Sequence, residues 1–130
     1  MKITVITITY NAEKVLRPTL QSVFRQTHND VEHWLIDGAS KDSTLKIAED
    51  YKRHNDSTDN GHEVEILSEP DKGIYFAMNK GLRLATGSYV LFLTAGDTLA
   101  ANDTLDEVCA SIGDGEELPA VIYGDTDIVD

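Results

Sequence analysis

The chain alternates two hydrophobic periods. Ile3, Val5, Ile6 and Ile8, interleaved with Thr, form a β-branched run that predicts a mostly buried strand over Lys2 to Thr9. Tyr10-Asn11 ends it. From Ala12 the period lengthens: Leu16, Leu20, Val23 and Phe24 fall at i, i+4, i+7 and i+8, the apolar stripe of a helix ending near Thr27. Pro18 lies inside that stripe and is tolerated if the regular helix starts late enough to put it in the first turn. Val31 to Ile36 predicts a second strand, closed by Asp37-Gly38-Ala39-Ser40. Asp42 or Ser43 then caps a second helix carrying Thr44, Ile47, Ala48 and Tyr51 on one face, and Ser40 is assigned to the same cap. Asn55 to His62 predicts a polar loop.

Glu63 to Ser68 alternates charged and apolar residues, the signature of a third strand at a sheet edge. Glu69-Pro70-Asp71-Lys72-Gly73 is turn chemistry. It leads into a helix that Gly87 stops and whose Ile74, Met78, Leu82 and Ala85 are expected to form the packed face. Ser88 to Thr94 predicts a fourth strand, Gly96-Asp97 a turn, and Leu105, Val108, Cys109 and Ile112 a fourth helical stripe. Ala120 to Tyr123 predicts a fifth strand. Strand and helix alternate with no internal repeat and no linker. That order predicts one α/β domain over residues 1–130, a mostly parallel sheet with helices on both faces.

Composition narrows the class without changing it. With 130 residues, 41% hydrophobic and 26% charged, the chain has ordinary globular composition, which rules out disordered and disulfide-dense scaffolds. A net charge of −12 makes nucleic acid a poor partner, because duplex binding depends on Lys and Arg neutralising phosphates. The single cysteine, Cys109, fits a small core residue and a reducing, cytoplasmic setting. The N-terminal apolar run is too short and β-branched for a leader, and no stretch reaches the roughly 20 apolar residues of a transmembrane segment. Residues 61–130 hold fourteen acids against three bases, so the acidity is concentrated in the second half.

Parallel α/β sheets bind ligands beyond the carboxyl ends of their strands. The segments there are Thr9-Tyr10-Asn11, Asp37-Gly38-Ala39-Ser40, Glu69-Pro70-Asp71-Lys72, Ala95-Gly96-Asp97, and Asp125 with Asp127. Four of the five carry an aspartate, and carboxylates gathered on one rim repel unless a cation or a donor-rich ligand sits among them. An acidic rim that takes Mg²⁺ or Mn²⁺ together with a phosphorylated ligand is therefore expected. Thr9-Tyr10-Asn11-Ala12 contains no glycine, which disfavours a dinucleotide fingerprint, and no P-loop motif occurs. Gly38-Ala39-Ser40-Lys41-Asp42 lacks the second glycine of a nucleophile elbow, and the four histidines are spaced irregularly, as structural residues are.

The runs ITVITITYNAEKVLRPTLQSVFRQT, WLIDGASKDST, GIYFAMNKGLRLATGSYVLFLTAGDTL and VIYGDTDIVD together resemble family 2 glycosyltransferases of the GT-A fold, over essentially the whole chain. The resemblance implies a Rossmann-like nucleotide-sugar-binding domain. It also implies inverting transfer of a sugar from a nucleotide diphosphate to a glycan or lipid-linked acceptor, as in cell-surface polysaccharide biosynthesis. By the same resemblance, Thr9, Tyr10 and Asn11 line the base and ribose pocket, Asp37 contacts base or ribose, and Asp71 and Lys72 form a nucleotide-side loop. Asp97 holds the last place of the D-x-D position, whose carboxylate coordinates Mn²⁺ or Mg²⁺ on the diphosphate.

The chain departs from the family's pattern at several points. Ala95 occupies the first place of D-x-D, and Phe76 stands where close relatives often have aspartate. The family's catalytic base and acceptor-binding half lie beyond residue 130, so no catalytic base is assigned. Asp125 and Asp127 are left between facing an acceptor and solubilising a strand end. Two other readings compete: an inactive or truncated donor-binding or assembly module, and a receiver-like signalling domain. The second is disfavoured because Tyr10-Asn11 and Gly124-Asp125 stand where it needs an acidic pair and a lysine. An apolar last strand, Val121 to Tyr123, offers surface through which isolated chains can self-associate.

Overall fold

The computed structural model describes residues 1–112 and 121–123, so Asp125 and Asp127 lie outside the described residues. Its elements run β1 (Ile3–Thr9), α1 (Leu16–Phe24), β2 (Val31–Asp37), α2 (Thr44–Asp56), β3 (His62–Ser68), α3 (Ile74–Leu84), β4 (Tyr89–Phe92), α4 (Thr104–Ile112) and β5 (Val121–Tyr123). All pairings are parallel, in the order β3-β2-β1-β4-β5. Strand order reverses at β1, which makes its carboxyl end the switch point where such sheets hold ligands. Pro18 falls in the first turn of α1, where its missing N–H costs nothing.

Side-chain alternation assigns the two faces. Ile3 and Val5 of β1, Val31 and Leu35 of β2, Val64 of β3 and Leu91 of β4 point to one face. There Leu16, Leu20 and Val23 of α1, Ile47 and Ala48 of α2, and Leu105 of α4 cover them. Ile6, Ile36, Val90 and Phe92 point to the other face and meet α3. Among the described residues helices thus cover both faces, three against one. A polar relay is buried under α2: His33 lies between the Thr7 hydroxyl (2.7 Å) and the Tyr51 hydroxyl (2.8 Å). Burial, with a smaller contribution from His62, lowers the His33 pKa to about 3, so the ring is neutral and structural at pH 7.

The packed face of α3 is only partly the expected one: Met78 and Ala85 pack against the core as expected. Ile74 is 58% exposed and Leu82 37%, while the buried positions are Ala77 and Gly81. Small residues let the helix axis approach the sheet closely. A methyl group at Gly81 would stand 2.7 Å from Ile6 Cγ2, inside van der Waals contact. Size therefore misses the most buried positions here, because the close approach requires small residues rather than large ones. Gly87 does not stop the helix either: Ala85 is already extended (φ −64°, ψ 134°). Gly87 instead admits β1, since a Cβ there would lie 2.7 Å from the Thr4 amide nitrogen.

Gly81→Ala gains about 1 kcal/mol of helix propensity but overpacks a core site that typically costs 1–3 kcal/mol, so it is expected to destabilise the chain by about 1 kcal/mol. Combining it with Ile6→Ala, which removes the clashing atoms, should cost less than the two single changes added together. Urea unfolding of the four proteins checks this.

Candidate functional site

Beyond the carboxyl ends of β1 to β4 lies a cleft of about 860 Å³. Ile8 to Ala12 and Val15 form one wall, Gly38, Ala39 and Lys41 the next, Pro70 to Ile74 the third, and Thr94 with Ala95 the fourth. Every wall follows a strand end, so the topology alone assembles it.

Asp37 ties these ends together from below. The parallel register pairs Thr9 with Asp37 and Asp37 with Ser68, so one row across three strands carries hydroxyl, carboxylate and hydroxyl. Oδ1 accepts from Thr9 Oγ1 (2.8 Å) and Ser40 Oγ (2.5 Å). Oδ2 accepts from the Ser40 amide (2.9 Å) and Ser68 Oγ (2.8 Å). The side chain is 1% exposed and does not line the cleft. Burial pushes its pKa up, but the donors from Ser40, Ser68 and Thr9 outweigh burial and hold the pKa below the usual carboxylate value.

Above Asp37 the β1–α1 and β2–α2 loops are laced to each other. The Asn11 amide donates to Ser40 Oγ (2.9 Å) and the Lys41 amide to Asn11 Oδ1 (2.8 Å). Farther along, the Ala12 amide donates to Thr44 Oγ1 (2.7 Å). Asn11 (φ 47°) and Ala39 (φ 62°) are the non-glycine residues with left-handed backbone among the described residues, and both line the cleft. Such strain collects at functional sites. Ser40, expected in the cap of α2, belongs to this lacing instead; the N-cap is Ser43, which makes no side-chain cap bond, and the Asp42 carboxylate accepts from the Thr44 amide.

Tyr10 is 59% exposed, and with Asp71 it flanks Gly38: a Cβ at Gly38 would stand 3.1 Å from Asp71 Oδ2 and 3.4 Å from Tyr10 Cδ1. Asp71 Oδ1 accepts the Gly73 amide (3.0 Å), and Gly73 at φ +128° adopts a backbone open to glycine. Lys80 holds this loop to α3 through the Pro70 carbonyl (3.2 Å) and Glu69 (3.1 Å). Lys72 Nζ lies 6.0 Å from the Phe76 ring centroid, at the outer limit of cation–π attraction.

Of the predicted residues, Thr9, Tyr10, Asn11, Asp71 and Lys72 come together as cleft walls. Asp37 lies beneath them. Asp97 is half-buried after β4 and is not a wall residue, although Ala95 two positions earlier is. Among the described residues the charged wall residues are Lys41, Asp71 and Lys72, the Asp37 charge being taken up inside the protein, while Asp125 and Asp127 of the expected rim lie outside the described residues. Among the described residues no group of three or more His, Cys, Asp or Glu is arranged to hold a metal ion. Asp97 alone fits a divalent ion only where diphosphate oxygens and water supply the other ligands, the usual manner of Mg²⁺.

A laced cleft at the switch point of a doubly wound sheet lies where open α/β domains bind their ligands. The family model for glycosyl transferase family 2 matches residues 4–126, and the chain belongs to that family. It is 42% identical over 121 residues to the PGL/p-HBAD biosynthesis glycosyltransferase of Mycobacterium tuberculosis strain H37Rv, covering 93% of this chain and 45% of that one. It is 32% identical over 116 residues to the uncharacterized glycosyltransferase YibD of Escherichia coli, covering 81% and 32%. Staphylococcus aureus TarS in complex with UDP-GlcNAc superposes with a TM-score of 0.73 at 32% identity, over 86% of this chain and 31% of that chain. Mannosyltransferase PcManGT from Pyrobaculum calidifontis, with GDP-Man and Mn²⁺, gives 0.68 at 29% identity, over 80% and 30%. The chain spans less than half the length of these relatives.

Because its folded pKa is depressed, Asp37 contributes stability that is full above its unfolded pKa of about 3.9 and fades as pH falls through the folded value. Asp37→Asn leaves two donors facing an NH₂ group and is expected to cost about 3 kcal/mol at pH 7. The variant should lose less stability than wild type between pH 5 and about pH 2. Chemical unfolding across that range reads both effects.

Proposed function

We propose that the cleft binds a nucleotide diphosphate sugar and that the chain is the donor-binding part of an inverting glycosyltransferase acting on a glycan or lipid-linked acceptor. The observation that carries this is the laced cleft at the β1 switch point, where an exposed Tyr10 and an Asp71 flank a side-chain-free Gly38. An aromatic face beside a carboxylate suits a nucleobase and ribose: the ring stacks on the base, and the carboxylate accepts from ring N–H or sugar hydroxyls. Thr9 and Asn11 border the same pocket. Asp37 serves the nucleotide by holding Thr9, Ser40 and Ser68 in one frame. Among the described wall residues Lys41 and Lys72 outnumber Asp71, which favours an anionic ligand. UDP, UDP-GlcNAc and GDP-Man complexes of the structural relatives support a nucleotide ligand.

Asp97 is proposed to hold Mn²⁺ or Mg²⁺ that arrives with the diphosphate. The bound metal would neutralise charge growing on the leaving nucleotide diphosphate. A donor-binding module without turnover is the second reading. It is favoured by Ala95 at the first D-x-D place and by Phe76 in place of a carboxylate beside Lys72.

Titration calorimetry with UDP and GDP is expected to show binding of at least one, tightened about tenfold by Mn²⁺. Asp97→Ala should abolish the tightening while leaving metal-free affinity intact. Tyr10→Ala should weaken binding about tenfold, the low end of a base–aromatic stack. Absence of heat with both nucleotides, with and without Mn²⁺, contradicts the reading. Binding without donor hydrolysis or transfer selects the module.

A further inference from the structure

We propose that Ser40 is a positioning residue of the donor cleft, one that transmits the hold of buried Asp37 to the Asn11 backbone and thereby sets Tyr10. The proposal rests on the donor-binding reading and adds to it a residue outside the cleft walls. The Ser40 hydroxyl has one proton, and its 2.5 Å contact to Asp37 Oδ1 takes it, since an ionised carboxylate only accepts. The hydroxyl lone pairs then face the Asn11 amide, which donates to them at 2.9 Å. The Ser40 amide is fixed separately by Asp37 Oδ2 at 2.9 Å, so the side chain has one settled direction.

What the hydroxyl fixes is the residue that needs fixing. Tyr10 is largely exposed and has no hydrogen-bond partner among the described residues, so its orientation comes from the backbone that carries it. The next residue, Asn11, sits in the left-handed region that non-glycine residues rarely occupy. Two bonds hold it there: its amide to Ser40 Oγ, and its Oδ1 from the Lys41 amide. The remaining lacing joins Ala12 to Thr44 and Glu13 to Asp42 and Ser43, beyond Asn11. Removing the Ser40 hydroxyl therefore loosens the Tyr10 end of the loop and leaves the α1 end tied.

The test is a thermodynamic cycle on the 130-residue chain, read as UDP affinity by calorimetry, with wild type, Ser40→Ala, Tyr10→Ala and the double variant. Ser40→Ala is expected to weaken UDP about tenfold, Ser40→Thr to retain wild-type affinity within about threefold, and the double variant to bind no more weakly than Tyr10→Ala. Undiminished affinity in Ser40→Ala overturns the proposal. So does a double variant whose loss is the product of the two single losses, because Ser40 would then act independently of Tyr10. Should Ser40→Ala fail to fold, Ser40→Cys, a poor donor of similar size, takes its place in the cycle with the same expected and contrary results. Failure of the wild type itself to bind UDP overturns the donor reading instead, and a titration with GDP separates a wrong base from no site.

Discussion

The carboxylate of Asp37 is ionised, removed from water and bonded by four donors, and the cleft exists in its present form because of that arrangement. A buried charge left unpaired costs far more than a hydrogen bond returns, so the donors must be in place whenever the chain is folded. They come from the end of β1, the loop after β2 and the end of β3, which forces these segments to converge. Glu32 applies the same constraint at the opposite edge of the sheet. It accepts from Thr4 Oγ1 and from the Thr86 amide and hydroxyl, with Lys2 at 3.8 Å. Burial raises its pKa, and those bonds together with Lys2 more than reverse the effect. One acid thus fastens the amino ends of the strands, the other the carboxyl ends.

The second feature that shapes the site is α3, the one helix on its face among the described residues. Ala77 and Gly81 let α3 settle onto Ile6, which turns its first turn outward. Ile74 lines the cleft, and beside it Tyr75 and Phe76 stand 69% and 49% exposed in an edge-to-face pair. The wall formed by Pro70 to Ile74 is therefore part polar loop and part apolar helix, seated by small residues on a rigid strand. Core packing on one side of α3 and wall composition on the other are consequences of the same two small residues.

Strand and helix order was readable because parallel strands buried on both faces show continuous β-branched runs, whereas helices show stripes at three and four residues. Bounds agreed within one residue for β1, β2 and β3, whose runs end at local turn residues. The face of α3 was only half readable: Met78 and Ala85 pack against the core, but a size-weighted stripe cannot register the closely approaching Ala77 and Gly81. Thr9, Tyr10, Asn11, Asp71 and Lys72 were found by their places after strands. The burial of Asp37 was not foreseeable, because its partners Thr9 and Ser68 become neighbours only through strand register, at separations of 28 and 31 residues. Ser40 resembled a cap because Ser, Asp and Asn serve caps and loop lacing alike. Lys41 gave no motif signal; only the folded loop turns it toward the cleft.

In the proposed function a nucleotide diphosphate enters at the β1 switch point and contacts the loops after β1, β2, β3 and β4 together. Backbone amide chemical-shift mapping of the ¹⁵N-labelled chain during titration with UDP and Mn²⁺ tests it most directly. The account predicts the largest changes at Tyr10 to Ala12, Gly38 to Lys41, Asp71 to Ile74 and Ala95 to Asp97, with little change around Glu32, Gly61 and Gly87 at the opposite edge. Saturable shifts centred on that opposite edge, or on the groove between α1 and α2 near Arg17 and His54, would contradict it.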